Sequence, residues 1–251
     1  MSFIQFVPAE PKGHASARAR PKIGIKKTPE QVKAPPRTNL QIESDKVKAA
    51  LLSHNPVVYD GSDITIGGVT YSVVKRSADG SWSVTVDLIS NDQKFMLKVM
   101  RSKYATSSPN PVHRFAKEVS QQKLAYPYAP KIVHYGFVRA GMELPTVVDN
   151  MMLYILMEHK GDTLEHFLDT FPRKVDEVKQ STLETCRRIG LVREDMTLDN
   201  FVIDANERVY AIDFDPQLVQ IGQVVNEEAV NDMFEIYEME PMVATTVRAS
   251  V

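Results

Sequence analysis

Apolar and polar positions alternate along the first half of the chain and change period in the second. Ile64 to Ile66, Val69 to Lys75, Ser83 to Ile89 and Lys94 to Met100 alternate or run apolar, separated by Gly67-Gly68, Asp79-Gly80 and Asn91-Asp92. Period-two runs rich in β-branched residues between turn dipeptides predict a meander of hairpins. A helix is expected next, with Pro111 in its first turn, Phe115, Val119 and Leu124 on one apolar face, and an end before Pro127 and Pro130. Two more strands fit Lys131 to Val138 and Met151 to Met157. Helical spacing then takes over at Thr163 to Thr170 and Arg173 to Ile189, the latter placing Val175, Val178, Leu183 and Cys186 on one side. A short strand, Phe201 to Ile203, follows. Asn226 to Met239 completes the pattern as one helix whose stripe of Val230, Met233, Phe234 and Tyr237 packs into the core. The expected class is α+β, with a strand-rich part over 42–160 that contains one helix and a mainly helical part over 161–251.

Composition separates the first 41 residues from the rest. Residues 1–40 carry eight Lys and Arg against two Glu, together with six prolines, whereas the whole chain has a net charge of -2. A basic, Pro-rich leader on an acidic body is therefore expected, and the leader holds too few apolar residues to offset its ordering entropy, which predicts disorder over 1–41. It reads as a solubilising tail or as a docking arm for an acidic partner; nucleic acid is the less favoured partner, because no aromatics are interleaved with the charges. The longest apolar run, Met151 to Met157, has seven residues, far below the roughly 20 that a membrane-spanning helix needs. With no basic, apolar leader of the secretory type, a cytoplasmic location is expected. A single cysteine, Cys186, excludes an intrachain disulfide and a cysteine-based metal cluster.

Four chemical signals fall on this scaffold. The hairpin tip Ala78-Asp79-Gly80-Ser81-Trp82-Ser83 is either an ordinary Asp-Gly turn or a loop whose Gly80 and Ser81 amides cover phosphates. Lys98, inside Phe95-Met96-Leu97-Lys98-Val99-Met100, either faces solvent on an alternating strand or pairs with Glu118, twenty residues on, to aim an ammonium at a phosphate. Arg193-Glu194-Asp195-Met196-Thr197-Leu198-Asp199-Asn200 gives an Asp-x4-Asn spacing before a strand, and Ala211-Ile212-Asp213-Phe214-Asp215 ends another strand in carboxylates.

The order of these signals, with 97 residues from Lys98 to Asp195 and 18 from Asp195 to Asp213, resembles the protein kinase superfamily over roughly residues 60–216. Met151 to Leu168 resembles the strand and hinge between that family's two lobes. The resemblance implies a two-lobed fold with an antiparallel sheet in the first lobe. It assigns Lys98, oriented by Glu118, to the α- and β-phosphates of ATP, and Asn200 and Asp213 to Mg²⁺. Asp195 becomes the catalytic base beside Thr197, and Gly80 and Ser81 cover the phosphates. Glu158 and Lys160 offer backbone groups to adenine, with Met157 behind it.

Departures from the pattern matter. Arg193 stands where a histidine is usual, Thr197 where many Ser/Thr kinases have lysine, Met96 where alanine underlies adenine, and Asp215 where glycine is usual. Asp215 either adds a metal ligand or caps the next turn. Only 38 residues follow Asp213 and no Ala-Pro-Glu is present, which resembles compact atypical kinases such as bacterial effector or viral kinases and the small kinase of tRNA-modification complexes. For an effector or viral kinase the location would be the host cytoplasm. An ATP-dependent Ser/Thr protein kinase is the leading expectation, with a protein substrate or an activating protein partner. The alternatives are a nucleotide-binding pseudokinase or scaffold and a small-molecule kinase of the aminoglycoside or choline type.

Overall fold

Alternation on both faces of the central strands builds the sheet. The computed structural model describes residues 38–53, 57–59, 63–79, 83–101, 107–140 and 151–239, all within one compact unit, Arg37–Val251. Strands β1 (Val57–Tyr59), β2 (Ile64–Ile66), β3 (Val69–Asp79), β4 (Ser83–Ser90), β5 (Gln93–Met100), β6 (Ile132–Ala140) and β7 (Met151–Glu158) form one sheet in the order β1-β6-β7-β5-β4-β3-β2. All neighbours are antiparallel except β1 and β6, which pair in parallel. Leu97 and Val99 of β5 and Met152, Tyr154 and Leu156 of β7 face one apolar cluster, with Val84, Val86 and Leu88 of β4. Their odd-numbered partners on β7, Leu153, Ile155 and Met157, join Met100 in a second cluster on the opposite face. Successive side chains of a strand point to opposite faces, so a strand apolar at every position is buried on both sides.

Two helices cover that second face. Helix α1 (Asn39–Ser53) contributes Val47 and Leu51, and helix α2 (Pro111–Ala125) contributes Phe115, Ala116 and Val119. The strand-rich part thus holds two helices rather than the expected one, and α1 takes in residues 39–41 of the basic stretch; residues 1–37 lie outside the described residues. Asn110 caps α2 by accepting the His113 N-H at 2.9 Å, and Pro111 follows at the first helical position, where its missing N-H removes no helical bond. Leu124 does not belong to the apolar face: it is 44% exposed, because five residues after Val119 it lies about 140° round the helix.

The remaining elements share another core. Helix α3 (Leu164–Thr170), helix α4 (Val175–Ile189) and the short strands β8 (Asp162–Thr163), β9 (Val192–Arg193), β10 (Phe201–Ile203), β11 (Val209–Ala211) and β12 (Val219–Gln220) surround Leu168, Val178, Cys186, Phe201 and Phe214. The expected helix over Asn226 to Met239 is two shorter pieces, α5 (Glu227–Asp232) and α6 (Glu235–Met239), separated at Met233 and Phe234. Their stripe packs as expected, with Val230 and Phe234 fully buried. Gly190 ends α4 in a left-handed conformation at φ 60°, and a Cβ there would lie 2.6 Å from the Gln223 carbonyl oxygen. Glycine is the residue that fits both constraints. Two small antiparallel sheets, β11-β10-β8 and β12-β9, position the loops described below. No described helix is long and apolar enough to cross a membrane.

Candidate active site

Lys98 does not face solvent. It lies on β5 between Thr85 of β4 and Ile155 of β7, on the face covered by α2, and is 9% exposed. Its ammonium donates to Glu118 Oε1 of α2 at 2.8 Å and to Asp213 Oδ1 beyond β11 at 2.6 Å. An ammonium has three donors, so these two bonds leave one for a further acceptor. Burial alone would disfavour the charged amine, but the charges of Asp213 and Glu118 outweigh it and hold its pKa above the ordinary lysine value. Burial pushes the Glu118 carboxyl above the usual range, with Lys98 opposing. Lys98 holds the Asp213 carboxyl below its usual range, against desolvation. The two carboxylates differ in their surroundings: Glu118, 1% exposed, also meets the charges of Asp213 and Asp215, whereas Arg193 and Arg114 add to Lys98 around Asp213.

Two loops meet beside this triad. The 3₁₀ turn Leu198–Asn200 leads into β10, and its Asn200 carbonyl accepts the Ile212 N-H at 2.9 Å, tying it to the approach to Asp213. Asn200 Nδ2 donates to the Asp195 carbonyl at 2.7 Å, to Asp195 Oδ2 at 3.3 Å and to Thr197 Oγ1 at 3.0 Å. With Nδ2 so engaged, the amide oxygen is the atom left to bind a cation. Arg193, whose side chain is 1% exposed, sends Nη1 to the Ile212 carbonyl at 2.7 Å and Nε to Asp195 Oδ1 at 3.2 Å. Arg193 therefore joins the Asp195 loop to the Asp213 segment. Asp213 itself adopts a left-handed backbone, φ 60°.

Asp215 belongs to a second ion pair. Its two oxygens are gripped by the Arg114 guanidinium of α2, Nε to Oδ1 at 3.0 Å and Nη2 to Oδ2, and Oδ1 also accepts the Gln217 N-H at 3.1 Å. Of the two roles read from the sequence, capping the next turn is the one seen, joined by a salt bridge that the spacing alone did not suggest. Arg114 was missed, although its place four residues before Glu118 puts both on one face of α2.

The other candidate residues fall into separate surroundings. Gly80 and Ser81 lie outside the described residues; the strands flanking them pair up to Asp79 and Val84. Met157 is 5% exposed and packs under α2, where Gln122 Nε2 approaches its sulfur at 3.5 Å. Glu158 donates its N-H to the Lys131 carbonyl at 3.0 Å. The Lys160 side chain has other partners: it pairs with the Glu158 carboxylate at 2.8 Å and sits 5.1 Å from the Tyr210 ring centre. There it borders a cleft of about 500 Å³ with Tyr128, Glu184 and Arg208, to which neither Lys98 nor Asp213 contributes.

The donors present suit magnesium. Asp213 and the Asn200 amide oxygen are hard oxygen ligands, and Mg²⁺ is commonly held by one or two protein carboxylates while phosphates and waters complete its octahedron. Among the described residues no group of three or more His, Cys, Asp or Glu is placed to hold a metal ion, so an all-protein cage is not the arrangement offered. A scan against protein-family models finds none that matches the chain, and a search of curated proteins finds no match either.

Proposed function

We propose that the chain is an ATP-dependent phosphotransferase with a two-lobed, protein-kinase-like fold, acting on serine or threonine hydroxyls of a protein. The observation that carries this reading is the Lys98 ammonium held between Glu118 at 2.8 Å and Asp213 at 2.6 Å, with the Asp195 to Asn200 loop bonded to the same segment. Phosphoryl transfer asks a protein for positioned cations and an oriented acceptor rather than for covalent chemistry. Lys98, kept charged by its two carboxylates, would place its third donor on an α- or β-phosphate oxygen. Asn200 and Asp213 would hold Mg²⁺, which supplies charge neutralisation at the β- and γ-phosphates. Asp195 would orient the incoming hydroxyl and accept its proton, with Thr197 as its polar neighbour. The backbone at Glu158 and Lys160, with Met157 behind, would take the adenine, and Gly80 and Ser81 the phosphates.

A second reading, a nucleotide-binding scaffold without transfer, is favoured by one observation. Both Asp195 carboxylate oxygens are already engaged, Oδ1 by Arg193 at 3.2 Å and Oδ2 by Asn200 at 3.3 Å. The deciding experiment incubates the purified chain with γ-labelled ATP, Mg²⁺ and a generic protein acceptor, with Asp213→Asn as control, followed by mass-spectrometric mapping of phosphosites. Label on protein serine or threonine, lost in the control, supports the kinase. Mg²⁺-dependent ATP binding without transfer supports the scaffold, and label confined to small acceptors supports a small-molecule kinase.

A further inference from the structure

We propose that Arg114 and Asp215 are positioning residues whose ion pair clamps helix α2 to the segment after Asp213 and so holds Glu118 against Lys98. This rests on the phosphotransferase reading only for its effect on turnover; the clamp itself is a statement about α2.

The geometry is a two-rung ladder. Arg114 and Glu118 lie four residues apart on α2, about 6 Å along the helix axis, and therefore share a face. Asp213 and Asp215 lie two residues apart on the segment opposite. One rung joins Glu118 to Asp213 through the Lys98 ammonium. The other joins Arg114 to Asp215 directly through two guanidinium bonds.

The second rung is the stiffer. A lysine ammonium is a point charge on a flexible stem, whereas a guanidinium fork meets a carboxylate in one plane and fixes orientation as well as distance. Both partners are buried, Arg114 at 4% and Asp215 at 7% exposure. Asp215 cannot swing away freely, because its Oδ1 caps the Gln217 N-H and its carbonyl accepts the N-H groups of Leu218 at 3.0 Å and Val219 at 2.8 Å. The same helix face is tied further along, where Gln121 Nε2 donates to the Val219 carbonyl at 3.1 Å. Helix α2 is thus anchored to the segment 213–219 at three successive levels, and the charged fork is the one nearest its N-terminus. Without it, the sheet would still carry Lys98, but the helix bringing Glu118 would lose the contact that orients its N-terminal end.

The test uses the full chain with Arg114→Gln, Asp215→Asn and Arg114→Lys. Amide hydrogen exchange without nucleotide is compared over residues 111–125 and 175–189, and kcat and KM for ATP are measured with Mg²⁺. The clamp predicts faster exchange over 111–125 alone in the two neutral variants. It also predicts a fall in kcat of roughly 10- to 100-fold, the scale expected for a misplaced catalytic group, with KM changed much less. Arg114→Lys, which keeps the charge without the fork, is expected between wild type and Arg114→Gln in both readouts. Unchanged exchange over 111–125, equal loss of protection over 175–189, or Arg114→Lys behaving no better than Arg114→Gln would each overturn the clamp. If the wild-type chain transfers no phosphate, the kinase reading falls and the exchange pattern alone decides.

Discussion

Replacing Lys98 with methionine separates the structural cost of the buried charge cluster from its proposed chemistry. Methionine fills much of the same volume but removes the ammonium from Glu118, which is 1% exposed. Breaking a buried pair by deleting one partner typically costs about 3–5 kcal/mol. The lower end applies here, about 3 kcal/mol, because Lys98 retains some solvent contact. The Asp213 contact adds little, since its side chain is 45% exposed and water replaces the amine there. For a folded unit of this size, about 3 kcal/mol lowers Tm by roughly 6–12 °C. The deficit carries a pH signature. Burial already holds the Glu118 carboxyl above its ordinary 4.5, and losing Lys98 raises it further. A group whose folded pKa exceeds its unfolded value contributes most below the unfolded pKa and loses that contribution as pH rises through the folded one. The Lys98→Met deficit should therefore be small near pH 4.5 and grow as pH rises from there. Converting Glu118 to methionine as well removes the buried carboxylate, so Lys98→Met/Glu118→Met should be more stable than Lys98→Met at pH 8 while remaining without turnover. Urea unfolding followed by far-UV circular dichroism at pH 5 and pH 8 measures all three. The reasoning is refuted if the single variant is as stable as wild type at pH 8, or if the double variant is no more stable than the single.

Three further outcomes are expected. Asp195→Ala should cut phosphoryl transfer by about 100-fold or more, the usual scale for a lost general base, while calorimetry shows the affinity for ATP with Mg²⁺ little changed; equal turnover would remove Asp195 from its role. Burial pushes the Cys186 thiol from 9.0 up to about 12, so the unfolded chain releases this proton first and stability falls as pH rises through that window. Between pH 9 and 11 wild type should accordingly lose about 2–3 kcal/mol more than Cys186→Ala, and parallel losses in urea titrations would contradict the burial argument. Gly161 has φ 129°, and a Cβ there would lie 1.9 Å from the Ile203 carbonyl oxygen. Gly161→Ala should then cost at least about 2 kcal/mol, and an unchanged Tm would show that the chain between β7 and β8 yields instead.

What the sequence revealed follows how local each signal is. Strands β2 to β7 were readable because side-chain alternation and turn dipeptides are properties of neighbouring residues. Helix α1 was not, since its fully buried apolar residues are only Val47 and Leu51, set among Lys46, Lys48 and Asp45. The parallel pairing of β1 with β6 joins Val57 to Val138, and nothing in a three-residue strand announces a partner so distant. The helix expected over Asn226 to Met239 breaks at Met233 and Phe234 while keeping its apolar spacing, so the stripe was legible and the interruption was not. At the site, the spacing of Lys98, Glu118, Asp195 and Asp213 carried the reading through a resemblance, and the structure brings Lys98, Glu118 and Asp213 into contact. The Arg114 and Asp215 pair spans 101 residues and has no local signature beyond the four-residue offset from Glu118.

The left-handed backbone of Asp213 has a consequence for how this chain responds to selection. An L-residue in that conformation gives up roughly 1–2 kcal/mol, less for aspartate than for most, and glycine gives up essentially none. Glycine at position 213 would relax the backbone but discard the carboxylate whose charge helps offset the burial of the Lys98 ammonium, so the two effects on folding oppose each other. A library screened for phosphoryl transfer should exclude Asp213→Gly whatever its thermal survival. At this position backbone ease and the proposed chemistry favour different amino acids.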